Sequence, residues 1–278
     1  MKRREFIGTA AAASSLALIG NYSWAKPSQP IGVQLYTVRD AIGKDLEGTL
    51  ARVAEIGYTH VEGASYGDGK YYGKSPAEFK SLLSSLGLKM PSSHIGLPFW
   101  KNNVEKTIED AANVGLEYMI MPWLGENERK SLDDYKKVIE IMNVANEMAM
   151  GSGVTLGYHN HDFEFLELEG QIPMDMLLKE LDPSVIMELD LYWISRVSKD
   201  PVEFFTKNKG RVHLWHVKDM EDSKEKVFAP VGTGTIDFKP IFEKAKLSGL
   251  KYFFVEQDQT KGSPFDAIKT SYGNVINF

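Results

Sequence analysis

Five stretches of this chain repeat one order: an amphipathic run, a glycine, and a short apolar run. They are ARVAEIG–YTHVEG (51–63), FKSLLSSLG–LKMPSSH (79–94), TIEDAANVG–LEYMIMP (107–122), NEMAMGSG–VTLGYHNH (146–161) and FEKAKLSG–LKYFFVEQ (242–257). Glycine suits the residue past a helix end, where a left-handed backbone is free of strain only without a Cβ. The nearly continuous apolar runs, such as 118–121 and 252–255, read as strands buried on both faces. Completing the pattern gives strands near 31–37, 59–63, 89–95, 117–122, 154–160, 185–191, 212–217 and 252–257, with helices between them. Ser75-Pro76-Ala77-Glu78 and Ser131-Leu132-Asp133-Asp134 supply helix starts of the capping type. Alternating strands and helices require parallel strands with right-handed crossovers. Eight units of roughly 30 residues predict a closed (β/α)8 TIM barrel. An open doubly wound sheet fits less well, because no glycine-rich dinucleotide loop follows the first strand.

Composition narrows the chemistry. With 278 residues, 43% of them hydrophobic, the chain can bury one large core, so residues 26–278 are read as a single barrel domain. A net charge of −6 lacks the basic footprint of a nucleic-acid partner. There is no cysteine, which excludes disulfides, thiolate metal sites and cysteine nucleophiles, leaving His, Asp and Glu to hold any metal. Residues 1–25 read as an export address. Lys2, Arg3 and Arg4 precede an apolar stretch from Phe6 to Ile19, and Ser23-Trp24-Ala25 offers small residues at a cleavage site. The arginine pair followed by Glu5, Phe6 and Ile7 is similar to a twin-arginine signal, which implies a periplasmic protein. The apolar stretch is shorter than the roughly 18 to 20 residues that span a bilayer, so no membrane span is expected after cleavage.

Active sites of such barrels lie where the strands exit, and polar residues gather there. Glu62, His94, His159-Asn160-His161, Glu188 with Asp190, His216-Val217-Lys218-Asp219, and Glu256 with Asp258 all follow apolar strand cores. Taken singly, each is as well explained by a cap or a turn. His60 and His213 begin strands and are assigned to packing at the opposite face. Asp190, His216 and Glu256 stand at comparable positions on three strands, so closing the barrel brings them together. Mixed nitrogen and oxygen ligands without sulfur suit one divalent ion: Mn²⁺, Mg²⁺, Co²⁺ or Zn²⁺.

The strings HVEG at Glu62, SSHIG at His94, YHNHDFEF at 158–165, MELDLYW from Met187, HVKD from His216, VGTGTIDF at 231–238 and FVEQD at Glu256 resemble, in this order, the xylose-isomerase-like barrel superfamily of sugar phosphate isomerases and epimerases. The resemblance covers essentially all of the chain beyond the export address. It implies one divalent metal held by Glu, Asp, His and Glu from strands five to eight, and the last three match Asp190, His216 and Glu256. Where the first glutamate is expected this chain has Gly157, so His159 is taken as the substitute ligand, with His161 as the alternative.

The resemblance further implies proton abstraction beside a carbonyl through an enediolate. The outcome would be isomerisation, epimerisation or elimination from a sugar, a glycoside or its keto derivative. Glu62, His161, Lys218 and Glu256 are the catalytic candidates, with Lys218 donating to a developing oxyanion or a leaving group. His94, Trp123, Trp193 and Asp258 are the substrate-binding candidates. Tyr36, Trp100 and Tyr192 are further aromatics that can stack on sugar faces or simply pack. Rival readings are a non-catalytic periplasmic sugar-binding protein, a metal-dependent phosphodiesterase or endonuclease of the same superfamily, and a metal-free lyase using His159 or His161 with Lys218. The oligomeric state is not legible in this sequence.

Overall fold

A computed structural model describes residues 30–278, and the export address assigned to residues 1–25 lies outside them. Eight parallel strands close a barrel: β1 Ile31–Gln34, β2 His60–Gly63, β3 Lys89–His94, β4 Tyr118–Met121, β5 Thr155–His159, β6 Ile186–Asp190, β7 Val212–Val217 and β8 Tyr252–Val255. Each pairs with its sequence neighbours, and β8 closes against β1. The helices packed outside are α1 Leu46–Ile56, α2 Pro76–Ser85, α3 Val104–Val114, α4 Leu132–Ala149, α5 Pro173–Glu180, α6 Pro201–Lys207, α7 Ala245–Ser248 and α8 Pro264–Val275. The barrel expected from the repeats is therefore present, with strands shorter by a residue or more at most ends. The largest difference is at β1. Gln34 turns its side chain back to accept the Tyr36 N–H at 3.0 Å, and Leu35–Val38 becomes a 3-10 turn rather than strand.

Local signals act as expected. Ser75 and Ser131 each accept an N–H from the third helical residue, Glu78 and Asp134, whose carboxylates reach back to the serine N–H. Each such box stabilises its helix by about 1 kcal/mol. Gly115 and Gly249 cap α3 and α7 at φ 98° and 95°, a backbone region that costs a side chain about 1–2 kcal/mol.

The outward faces of the strands supply the main core. Val33, Val61, Met119, Leu156, Leu189, Trp215 and Phe253 pack with the helices. Inside the barrel a second apolar cluster forms from Tyr118, Ile120, Ile186, Leu214 and Phe254. Two strand glycines make room for it. A Cβ on Gly32 would strike the Phe254 ring, and one on Gly157 would lie 2.5 Å from Ile120 Cδ1 and 2.7 Å from Ile186 Cδ1. This plug fills the interior, and the active-site layer stands directly on it. Among the described residues, no helix is long and apolar enough to cross a membrane.

Candidate active site

Side chains two apart on a strand share a face, so on five strands the residue two beyond the plug also points into the barrel. Those residues are Gln34 after Gly32, His159 after Gly157, Glu188 after Ile186, His216 after Leu214 and Glu256 after Phe254. The interior thus changes from apolar to polar, and mostly ionisable, within one step of the pleat. Asp190, Lys218 and Asp258 lie two residues further toward the exit. Parallel register sets His159 level with Glu188 and Asp190 level with His216.

Two nitrogens and two oxygens converge. His159 Nε2 is 3.3 Å from Asp190 Oδ2, and His216 Nδ1 is 2.6 Å from Glu256 Oε2 and 3.8 Å from Asp190 Oδ2. One ligand-type atom from each of the four lies within 4.8 Å of the others. Their hydrogen bonding fits a cation. His159 Nδ1 faces the Pro122 carbonyl at 3.0 Å, an acceptor only, so Nδ1 carries the proton and Nε2 turns a lone pair toward the aspartate. Burial, and then the neighbouring His216 and His94, hold His159 well below the usual imidazole range, so it is neutral. His216 Nδ1 and Glu256 Oε2 approach closely, yet neither makes a hydrogen bond of acceptable geometry. Buried polar atoms left in this state mark a place for a ligand or ion, and the Nδ1–H of His159 directed at a carbonyl is the outer partner that metal-binding histidines use.

His161 is not among the converging atoms. Its ring stacks on Phe163 at 5.4 Å and stands edge-on to His159 at 5.0 Å, with Nδ1 buried and unpartnered. Burial, then Lys218, brings it down to about 3, so its imidazole is neutral at ordinary pH. The expected vacancy at Gly157 is also relocated. Gly157 belongs to the plug, and the residue that enters the site layer on β5 is His159.

Glu62 sits behind His216 rather than at the mouth. It is fully buried and accepts from His216 Nε2 at 2.5 Å, Gln34 Nε2 at 2.8 Å and Ser92 Oγ at 2.5 Å. Burial raises its carboxyl, but His94 and His216 outweigh that and bring it down to about 2. Both its oxygens are engaged by neighbours, so the structure gives this catalytic candidate the position of a support. Lys218 Nζ meets Asp258 Oδ1 at 2.8 Å, Glu256 Oε2 at 2.7 Å and Asp190 Oδ2 at 3.0 Å. Burial lowers Lys218, and the three carboxylates outweigh it and hold the ammonium well above its usual range.

His94 Nε2 meets Glu188 Oε2 at 2.8 Å. Glu188, named beside Asp190 at the exit of its strand, was given no role by the sequence. It belongs to a second set of convergent ligand-type atoms with His94, His159 and His216. Burial, then Glu62, raises Glu188 to about 7. The signal that finds it is its spacing of two from Asp190. Glu164 was passed over: fully buried, it accepts from Tyr158 Oη at 2.7 Å and the His161 N–H at 2.8 Å, and so fixes the segment after β5.

The aromatics divide. Trp100 is buried and donates to the Ile95 carbonyl, and Tyr192 is buried and donates to the Lys226 carbonyl, so both pack. Trp193 faces the site, its ring centroid 5.9 Å from Lys218 Nζ and 5.4 Å from His161. Trp123 and Tyr36 are exposed, by 50% and 44%. His60 and His213 begin β2 and β7, where His60 packs on Tyr252 and His213 on Tyr118, as assigned.

Similarity to known proteins follows this geometry. The chain is 27% identical over 154 residues to the inosose dehydratase of Geobacillus thermodenitrificans, a match covering 48% of this chain and 51% of that enzyme; it thus spans about half that relative's length. It is 22% identical over 266 residues to the inosose dehydratase of Erwinia tasmaniensis, covering 81% of this chain and 88% of that one. The crystal structure of a sugar phosphate isomerase/epimerase from Parabacteroides distasonis superposes with a TM-score of 0.78 at 28% identity, covering 91% of this chain and 95% of that one. Residues 50–271 match the xylose isomerase-like TIM barrel family, and the chain belongs to that family.

Proposed function

We propose that this chain is a carbohydrate-directed enzyme that moves a proton next to a carbonyl, with one divalent cation held by His159, Asp190, His216 and Glu256. The observation that carries the reading is the convergence of their four ligand-type atoms within 4.8 Å, with the His159 Nδ1–H directed away at the Pro122 carbonyl. A bound Mn²⁺, Mg²⁺, Co²⁺ or Zn²⁺ supplies Lewis acidity to a carbonyl oxygen. The chain's own groups do the rest. Glu62 accepts from His216 Nε2 and so points Nδ1 at the seat, where an ion would take the place of its proton. His161, neutral with an unpartnered Nδ1, receives the proton, and Glu256 offers a second acceptor. Lys218 donates a hydrogen bond to the oxygen that gains charge or departs. Trp193 and Trp123 offer aromatic faces to a sugar-like ring, and Asp258 and His94 offer polar contacts.

Among the outcomes of such a proton transfer, loss of a β-hydroxyl is favoured. The relatives named inosose dehydratase support it, as does an ammonium placed beside the ligand oxygens. The substrate class is a keto sugar or keto-polyol, and the arginine pair at Arg3-Arg4 supports a place outside the cytoplasm.

The test is Mn²⁺ titration of chelator-stripped protein, with NMR detection of solvent deuterium entering a keto-cyclitol. One ion per chain and chelator-sensitive exchange are expected. His216→Ala and Glu256→Ala should each lose the ion while keeping a native circular dichroism spectrum. Full occupancy in either variant would mean the ligands are wrongly chosen, and exchange indifferent to chelator would favour the metal-free lyase reading.

A further inference from the structure

Lys218 occupies an unusual position for a residue beside a metal seat. Its Nζ lies 3.0 Å from Asp190 Oδ2 and 2.7 Å from Glu256 Oε2. These are the same two oxygens that face His159 Nε2 and His216 Nδ1. Its third contact, 2.8 Å to Asp258 Oδ1, is of another kind. Asp258 belongs to neither convergent group of ligand-type atoms, and its side chain is 20% exposed where that of Asp190 is fully buried. One ammonium is therefore shared between two seat oxygens and one carboxylate outside the seat. An ion on those oxygens and an ammonium on the same oxygens are like charges a few ångström apart, where salt screens weakly. Without either cation, the two buried carboxylates would be left with only the imidazoles of His159 and His216 beside them, which is costly.

We infer that Lys218 is a placeholder cation: it holds Asp190 and Glu256 together in the metal-free protein and yields those oxygens to an entering ion, drawn aside by Asp258. This rests on the metal reading above. The lysine then opposes metal binding while preserving the seat, and Asp258 is a positioning residue that acts through it. Together the pair sets the affinity for divalent ions. The contrary picture makes Lys218 a fixed strut whose loss would loosen the ligands and weaken binding.

Calorimetric Mn²⁺ titration of stripped wild type, Lys218→Met, Asp258→Asn and the double variant separates these pictures. Lys218→Met should bind Mn²⁺ about tenfold tighter, Asp258→Asn about fivefold weaker, and the double variant within about twofold of Lys218→Met. Metal-free Lys218→Met should also melt lower than wild type and regain the loss with Mn²⁺. Equal or weaker binding by Lys218→Met overturns the inference. So does an Asp258→Asn penalty of the same size in both backgrounds, which would make Asp258 a bare charge. If metal-free Lys218→Met does not fold, Asp258→Asn still decides, because unchanged affinity there overturns the role assigned to the pair. Absence of binding in all four proteins overturns the metal reading as well, whereas wild-type binding without tightening in Lys218→Met overturns only this one.

Discussion

His216 shows how much of this site depends on which atom faces which neighbour. Its Nε2 meets Glu62 at 2.5 Å and its Nδ1 turns to Glu256 at 2.6 Å. Glu62→Gln keeps the shape and an acceptor for His216 but removes the charge that favours this tautomer. It should lower Mn²⁺ affinity by about tenfold or more, the usual weight of such a partner, and calorimetry would show it; unchanged affinity would remove Glu62 from any role through His216. Glu164 carries a different consequence. Burial raises its carboxyl from 4.5 to about 7, so the folded protein holds this proton more tightly than the unfolded chain does. The stability it allows is fully present below about pH 4.5 and declines as pH rises toward 7, by on the order of 3 kcal/mol. Glu164→Gln should flatten the dependence of Tm on pH across that window. Residue identities at the strand exits were legible in the sequence, and Asp190, His216 and Glu256 do meet. The supporting roles were not, because a letter in a string does not say whether a carboxylate faces the cavity or the back of a histidine.

At the scale of the strand, alternation tells which face a residue takes but not how deep in the barrel it lies, since residues i and i+2 share a face. That ambiguity placed the missing glutamate at Gly157. In the structure Gly157 is one pleat too deep, wedged between Ile120 and Ile186, and His159 takes the level of the site. The same ambiguity left Glu188, named beside Asp190, without a place at the site. Repeated helix, glycine and strand were legible because each is encoded locally, by caps and by apolar runs. Depth depends on how eight strands stagger when the barrel closes, a property no single segment carries. The reading of Gly157 as a packing position is testable. Gly157→Val would push a branched side chain into the plug and should cost about 1–3 kcal/mol in chemical denaturation, while Mn²⁺ stoichiometry stays at one. Loss of the ion in a folded Gly157→Val protein would return residue 157 to the site layer.

For the molecule as a whole, the apolar plug, the buried cage above it and the N-terminal arginines bear on one question raised by the proposed metal and the proposed export address, the order of folding, metal loading and export. The cage residues Asp190, His216 and Glu256 are almost wholly buried, on strands β6 and β7 and just past β8. Such a cage exists only once the barrel has closed, and it would take its ion from whichever compartment it folds in. A protein exported already folded carries the ion chosen inside the cell. A protein threaded unfolded must fold and find its ion outside. The run Arg3-Arg4-Glu5-Phe6-Ile7 favours the first route, and among the described residues the first strand, β1, begins at Ile31, so the proposed cleavage after Ala25 would leave every described strand intact. Replacing both Arg3 and Arg4 by lysine should therefore keep the protein in the cytoplasm, folded, metal-loaded and still carrying residues 1–25. The unaltered chain should appear in the periplasmic fraction beginning at Lys26. Fractionation with N-terminal sequencing and metal analysis of both pools reads this directly. Export undiminished in the double variant would show that the arginine pair is not the address, and would leave the choice of metal to the outer compartment.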